Sequence, residues 1–272
     1  MNTKEIMDLA LELAGNIELP ADSAIENHGE NIKRILFGID METPELMLGK
    51  ELGVDLVISH HPKSGTAVMD FDKVMLRQID KMVEYNIPIN RAQKALKKKL
   101  ISINMGKHTS NYDRASSAAK LLDMPYMNIH MPADIITENF VQSYLDEFSI
   151  DKPKLTLGMI VDHLNLLPEY KNSLSKPIIR VGSPSDYAGK IAVLMAGGTN
   201  GGSEVYKAYF EAGVGTIICM HVPEDVKKAV EEQNYGNVIV AGHMSSDSIG
   251  INIIIRELEK RGLEIIKTSG IV

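Results

Sequence analysis

The strongest constraint on what this chain can fold into is the stretch Val54-Asp55-Leu56-Val57-Ile58-Ser59-His60-His61-Pro62. Gly53 opens a run of branched apolar residues and Pro62 closes it, so the segment reads as a buried strand that stops at two adjacent histidines. Neighbouring side chains on a strand point to opposite faces, and both imidazoles reach one site only if the backbone turns there. Pro62 supplies that turn, since it biases His61 toward extended backbone and offers no ladder N–H. The pair then lies in a loop at the carboxyl end of a strand, where open α/β sheets put their ligands. It is either a pair of metal ligands or a packed turn, and the strand before it favours the metal.

The same pattern is written twice. Glu51 to His61 lies on Glu211 to His221 without a gap: Glu, Gly and Val agree, the strand stays apolar, and His61 falls on His221. Downstream, Met105 to Asp113 resembles Ala241 to Asp247, and upstream Arg34 to Asp40 resembles Lys190 to Ala196. Each half reads as strand, helix, strand with His, helix, strand with His and Asp. The expectation is an α/β protein of two similar lobes, with a metal cleft between them. The first lobe is expected over 1–125 and the second over 190–272, with 126–189 as connecting segment and intervening elements.

Composition narrows the function. With 29 basic and 36 acidic residues the net charge is -7, which argues against nucleic acid as a partner. The basic run Lys94 to Lys99 reads as the solvated end of a helix, where positive charge suits the carboxyl terminus. The single cysteine, Cys219, lies in an apolar strand and fits a reducing compartment. No run approaches the roughly 20 apolar residues that cross a bilayer. A soluble, cytoplasmic protein with no membrane partner is expected.

Other candidates follow in chain order. Asp40 ends the strand Ile35 to Ile39 just before Thr43-Pro44-Glu45, a helix start. Ile101 to Met105 reads as a strand, left by Gly106 to Asp113, so that Asp113 is either the cap of the next helix or a metal carboxylate. His130 sits in a segment broken by two prolines and reads as a surface residue. Ala196 to Ser203 carries four glycines between a strand and a helix, and is either an anion nest or a plain flexible turn.

Taken together, Leu56 to Pro62, His108 to Asp113, Ala196 to Ser203 and Gly242-His243 through Asp247 resemble the NGG-interacting-factor-like family of dinuclear-metal-centre hexameric proteins. Some members carry the name of type-two GTP cyclohydrolase homologues. The resemblance implies His60, His61, Asp113, His243 and Asp247 as metal ligands, with Asp247 standing where the family has a glutamate. It also implies two-lobed protomers in a toroidal homo-hexamer. The family motif places four residues from His to Asp, whereas His108 to Asp113 spans five, and its amino-terminal Asp-Trp-Asp-Asn segment has no equivalent in this Trp-free chain.

The resulting expectation is a hydrolase-like protein with two divalent metal ions, Zn, Mn, Fe, Co or Ni, acting on a small phosphorylated or nucleotide-like substrate. His108 and His221 are the candidates for proton transfer, because imidazole titrates near neutrality. The competing expectation is a non-enzymatic metal-dependent regulatory or assembly protein.

Overall fold

The computed structural model describes residues 1–272. The first part of the chain runs α1 (Thr3–Leu13), β1 (Ala24–Asn27), β2 (Arg34–Gly38), α2 (Thr43–Glu51), β3 (Leu56–Ser59), α3 (Gly65–Met69), α4 (Phe71–Val74), α5 (Arg77–Glu84), α6 (Ile89–Lys107), α7 (Arg114–Leu121), β4 (Tyr126–Asn128) and α8 (Met131–Ser149). There follow α9 (Leu157–Leu164), α10 (Pro168–Asn172), β5 (Ile178–Val181), β6 (Lys190–Leu194), α11 (Ser203–Glu211), β7 (Val214–Cys219), α12 (Glu224–Gln233), β8 (Asn237–Val240), α13 (His243–Lys260) and β9 (Glu264–Thr268). No helix is long and apolar enough to cross a membrane.

The chain forms two compact units that interleave in sequence. Unit 1 comprises Met1–Val74, Ile103–Ile136 and Asp247–Ile271, and unit 2 comprises Met75–Ser102 and Thr137–Ser246, with Val272. One division lies between α4 and α5, and three more fall inside α6, α8 and α13. A repeat in sequence carries no information on β9, which comes back to pair with β2 from Arg34 opposite Glu264 to Gly38 opposite Thr268.

Unit 1 is built on a five-stranded sheet in the order β1-β4-β3-β2-β9. β1 runs antiparallel to β4 and the other pairs are parallel. All four residues of β3 are buried, as expected of a parallel strand covered on both faces. Leu36, Leu46, Val57, Ala119 and Tyr126 share one apolar cluster, and the Tyr126 hydroxyl donates to the Met41 carbonyl at 2.8 Å, so its polar end is satisfied inside the core.

Unit 2 is built on a four-stranded sheet in the order β5-β8-β7-β6, with β5 antiparallel to β8. Strand for strand this repeats β1-β4-β3-β2. The irregularity recurs too: the register slips between Ile25 and Asn27 against β4, and between Ile179 and Val181 against β8. A generic βαβ pattern specifies neither an antiparallel edge strand nor the place of its bulge, so the fold itself is duplicated.

One element differs from the sequence reading. Ile101 to Met105, expected as a strand, is the last part of α6. Ala92, Leu96, Leu100 and Ile103 recur every three or four residues with no Gly or Pro among them, and the helical period wins over the local Ile-Ser-Ile alternation. The strand equivalent to β8 is β4, some twenty residues later.

Candidate metal centre

The end of β3 brings the two histidines to one place. The His60 and His61 amides donate to the carbonyls of Gly38 and Ile39, each at 2.9 Å, carrying the ladder with β2 beyond the strand. Ser59 Oγ then donates to the His61 carbonyl at 2.8 Å and folds the backbone back ahead of Pro62. His60 is fully buried, whereas the His61 side chain keeps 18% exposure.

The exit of β4 supplies the next pair. The Ile129 amide donates to the Ser59 carbonyl at 3.0 Å, which sets His130 beside the β3 histidines. The Asp134 amide donates to the His130 carbonyl at 3.1 Å, so the two residues span the first turn of α8 and their side chains lie on one face. Asp247, 1% exposed on α13, is the fifth member.

These five side chains alternate imidazole with carboxylate. His130 Nε2 lies 3.7 Å from Asp134 Oδ2, and Asp134 Oδ1 lies 3.4 Å from His60 Nε2. His60 Nε2 lies 3.6 Å from Asp247 Oδ1, and Asp247 Oδ2 lies 3.5 Å from His61 Nε2. Behind them, each Nδ1 is held from outside. His60 Nδ1 donates to the Ile129 carbonyl at 2.9 Å, His61 Nδ1 meets Asp40 Oδ1 at 3.0 Å, and His130 Nδ1 meets Asp22 Oδ2 at 2.6 Å. Asp22 is fully buried. Asp40 also takes Lys63 Nζ at 2.6 Å. The hydrogen bond from His61, against some desolvation, holds the Asp40 carboxyl well below the usual carboxylate range.

The donor set fits a cation. A carbonyl only accepts, so His60 Nδ1 carries a proton and Nε2 is left with its lone pair toward two carboxylates. Nε2 of His60 and Oδ1 of Asp134 are buried without a hydrogen-bond partner, a costly arrangement unless something positive joins them. Their spacing is too long for a good hydrogen bond. It matches two donors sharing one tetrahedral ion, since ligands about 2.1 Å from such a metal stand about 3.4 Å apart. His60, Asp134 and Asp247 form one close group of donor atoms, and His60, His61 and His130 another. Without a metal, a proton takes its place: burial alone pulls the His60 pKa down, but Asp247 and Asp134 outweigh it and hold it well above 6.5. His61 is shifted up by Asp247 and Asp40, again against burial.

The structure brings together His60, His61 and Asp247 of the residues singled out from sequence. It does not bring Asp113 or His108 to them. Asp113 is the exposed N-cap of α7, and His108 is exposed just after α6. His243 opens α13 one turn before Asp247, and in unit 2 its ring lies 5.0 Å from that of His221. His130, Asp134 and Asp22 were missed. The signal was the spacing, since His130 to Asp134 is the four-residue interval that the resemblance implies and His108 to Asp113 lacks. The glycine-rich loop of unit 2 is tied down by its own chain: Glu138 Oε2 accepts from the Met195 and Ala196 amides, both at 2.9 Å, and Gln78 Nε2 donates to the carbonyls of Gly197 and Thr199 at 2.7 and 2.6 Å.

Fold and site together define a duplicated α/β protein with a buried His/Asp cluster compatible with metal binding. The chain belongs to the Duf34/NIF3 (NGG1p interacting factor 3) family, whose model matches residues 24–270. It is similar to the NIF3 superfamily protein from Sphaerobacter thermophilus, with 36% identity and a TM-score of 0.93, over 99% of this chain and 98% of that one. It shares its fold with reduced HcgD from Methanocaldococcus jannaschii, at 17% identity and a TM-score of 0.61 over 98% and 97% of the two chains. A Bacillus cereus protein related to NIF3 has 11% identity and a TM-score of 0.52 over 98% and 96%. No curated protein is matched.

Proposed function

We propose that this chain binds two divalent metal ions through His60, His61, His130, Asp134 and Asp247, and that it is hydrolase-like toward a small phosphorylated or nucleotide-like substrate. His243 joins the ligand set from the same helix as Asp247, one turn earlier. The carrying observation is the buried Nε2 of His60, which faces Asp134 with no hydrogen-bond partner on either atom. Asp134 takes the carboxylate role that the resemblance implies for Asp113. Bound there, divalent metals supply Lewis acidity and a hydroxide nucleophile at neutral pH.

The surrounding residues orient and select. Asp22 and Asp40 fix His130 and His61 so that both Nε2 atoms stay available, as carboxylates behind metal-bound histidines do. The Phe71 ring stands 5.8 Å from that of His130, and Lys107 Nζ lies 4.5 Å above Phe71. A planar base stacked on Phe71 with an anionic group toward Lys107 is the substrate class this wall suits. His221 remains the candidate for proton transfer, because His108 lies away from the cluster. A homo-hexamer belongs to the same proposal and rests on the family resemblance.

The second reading, a metal-dependent regulatory or assembly protein, is favoured by the enclosure of His60, Asp134 and Asp247, since structural metal sites are closed. Metal-loaded protein offered a panel of phosphorylated and nucleotide substrates separates the two. Turnover lost in His60→Ala at unchanged oligomer mass supports catalysis, and absence of turnover with bound metal supports the regulatory reading.

A further inference from the structure

The outer edge of the unit 2 sheet is closed by side chains instead of a strand. In unit 1 the edge of β2 is taken by β9, with Ile35 opposite Ile265. The equivalent strand of unit 2, β6, ends its sheet, and its outward amides go to α8. Glu138 accepts from Met195 and Ala196, and Gln142 Oε1, one turn further on, accepts from Val193 at 2.9 Å. Alternation along the strand turns the Ile191 amide outward as well, and Ile191 is the residue that matches Ile35. Here the cover stops. No side chain or loop carbonyl accepts from Ile191, and Asp146, the next residue along that face of α8, has Oδ1 on Gln142 Nε2 at 2.8 Å. Ile191 is 8% exposed, so a main-chain donor without an acceptor is costly there.

A cleft of about 520 Å³ opens at this point, with Ile191, Lys190, Tyr85, Asp146, Glu84 and Lys81 in its wall, a size that holds a small molecule. Lys190 Nζ lies 4.7 Å from the centre of the Tyr85 ring and makes no ion pair. Lys81, by contrast, is already matched by Glu84 at 3.3 Å and Glu138 at 3.4 Å. The Tyr85 ring that carries Lys190 is itself held, edge-on to Tyr209 at 5.3 Å and with its hydroxyl 3.4 Å from Gln142 Oε1. The cleft therefore presents two donors, the Ile191 amide and the Lys190 ammonium, and one carboxylate oxygen, Asp146 Oδ2, that accepts from nothing.

We propose that this cleft of unit 2 binds a free amino acid, its carboxylate on the Ile191 amide and Lys190 and its ammonium toward Asp146. A carboxylate accepts from an amide and an ammonium at once, through charge-assisted hydrogen bonds. A simple anion would meet the like charges of Asp146 and Glu84, which penalises it unless it carries a cationic group of its own. The wall as a whole matches such a ligand, since Lys81 and Lys190 balance Glu84 and Asp146. None of these residues belongs to the His/Asp cluster of unit 1, so the inference stands or falls apart from the metal-centre reading.

The test titrates full-length protein with each of the proteinogenic amino acids by calorimetry and by thermal shift, for wild type, Lys190→Met and Asp146→Asn. Acetate and methylamine serve as probes of each charge alone. Both substitutions fall on exposed side chains; the first keeps the stem over Tyr85 and the second an acceptor for Gln142, and circular dichroism checks the fold. The expected result is that at least one amino acid binds wild type while acetate and methylamine do not bind comparably. Each variant should weaken that binding at least about tenfold, as loss of a charged hydrogen-bond partner does. Neither heat nor a thermal shift with any amino acid overturns the inference, and so does binding that either variant leaves unchanged. Acetate bound as tightly as the amino acid overturns the class of ligand, because Asp146 then contributes nothing.

Discussion

Asp134 follows His130 by one helical turn and directs Oδ2 to within 3.7 Å of the Nε2 of that histidine. The same carboxylate reaches His60 with its other oxygen, so its charge serves two imidazoles. Asp134→Asn keeps the shape and removes the charge, and is expected to weaken metal binding at least about tenfold. Asp113→Asn, at an exposed helix cap, should bind as wild type does. Elemental analysis of the two variants after the same dialysis decides which aspartate is the ligand.

On the proposed reading, a proton and a metal ion would compete for His60 Nε2. Its folded pKa is raised well above 6.5, so at pH 7 the metal-free protein holds a proton there that the unfolded chain has largely lost. The stability this contributes is fully present below pH 6.5 and is lost as pH rises through the folded pKa. Metal binding at pH 7 should accordingly release protons. Calorimetric titration in two buffers of different ionisation enthalpy measures the release, and identical heats in both would contradict the exchange.

Asp40 orients His61 from behind, at 3.0 Å from Nδ1. Asp40→Asn keeps an acceptor but removes the negative charge that strengthens His61 as a donor. Metal affinity should fall by about 10–100-fold with little change in fold. Competition with a chromophoric chelator reads the affinity, and circular dichroism the fold.

In unit 2 the buried charge of Glu138 is structural. Glu138 is 1% exposed, with Oε1 3.0 Å from Arg77 and 3.4 Å from Lys81 while Oε2 holds two amides. Glu138→Ala leaves two partly buried cations and two backbone donors without their acceptor, and should cost about 3 kcal/mol or more. Urea denaturation gives the value, and a loss within experimental error would make the network ornamental.

The legible parts of this molecule were those whose signal is local. The apolar run ending at His60-His61-Pro62 announced both a buried strand and the place of two histidines of the cluster. The Glu51–His61 repeat announced two sheets of one topology. His130 stayed hidden because β4 has only three residues, too few to show a period, and two nearby prolines made its surroundings resemble a surface loop. Asp22 could not be found at all, since its role depends on a hydrogen bond to a residue 108 positions away.

The strand β9 and the helix segment from Asp247 onward belong to unit 1 although some 110 residues of unit 2 come before them. A ribosome making this chain delivers β2, β3 and β4 early, and they must wait with one sheet edge unfilled until Glu264–Thr268 emerges. Edges left open in this way invite pairing with other chains. The same delay governs the His/Asp cluster, whose imidazoles are synthesised long before Asp247 exists to face them. Order of synthesis thus sets order of assembly: unit 2 has all its strands while unit 1 is still short of a strand and a carboxylate, and metal captured by the nascent chain meets an incomplete set of donors.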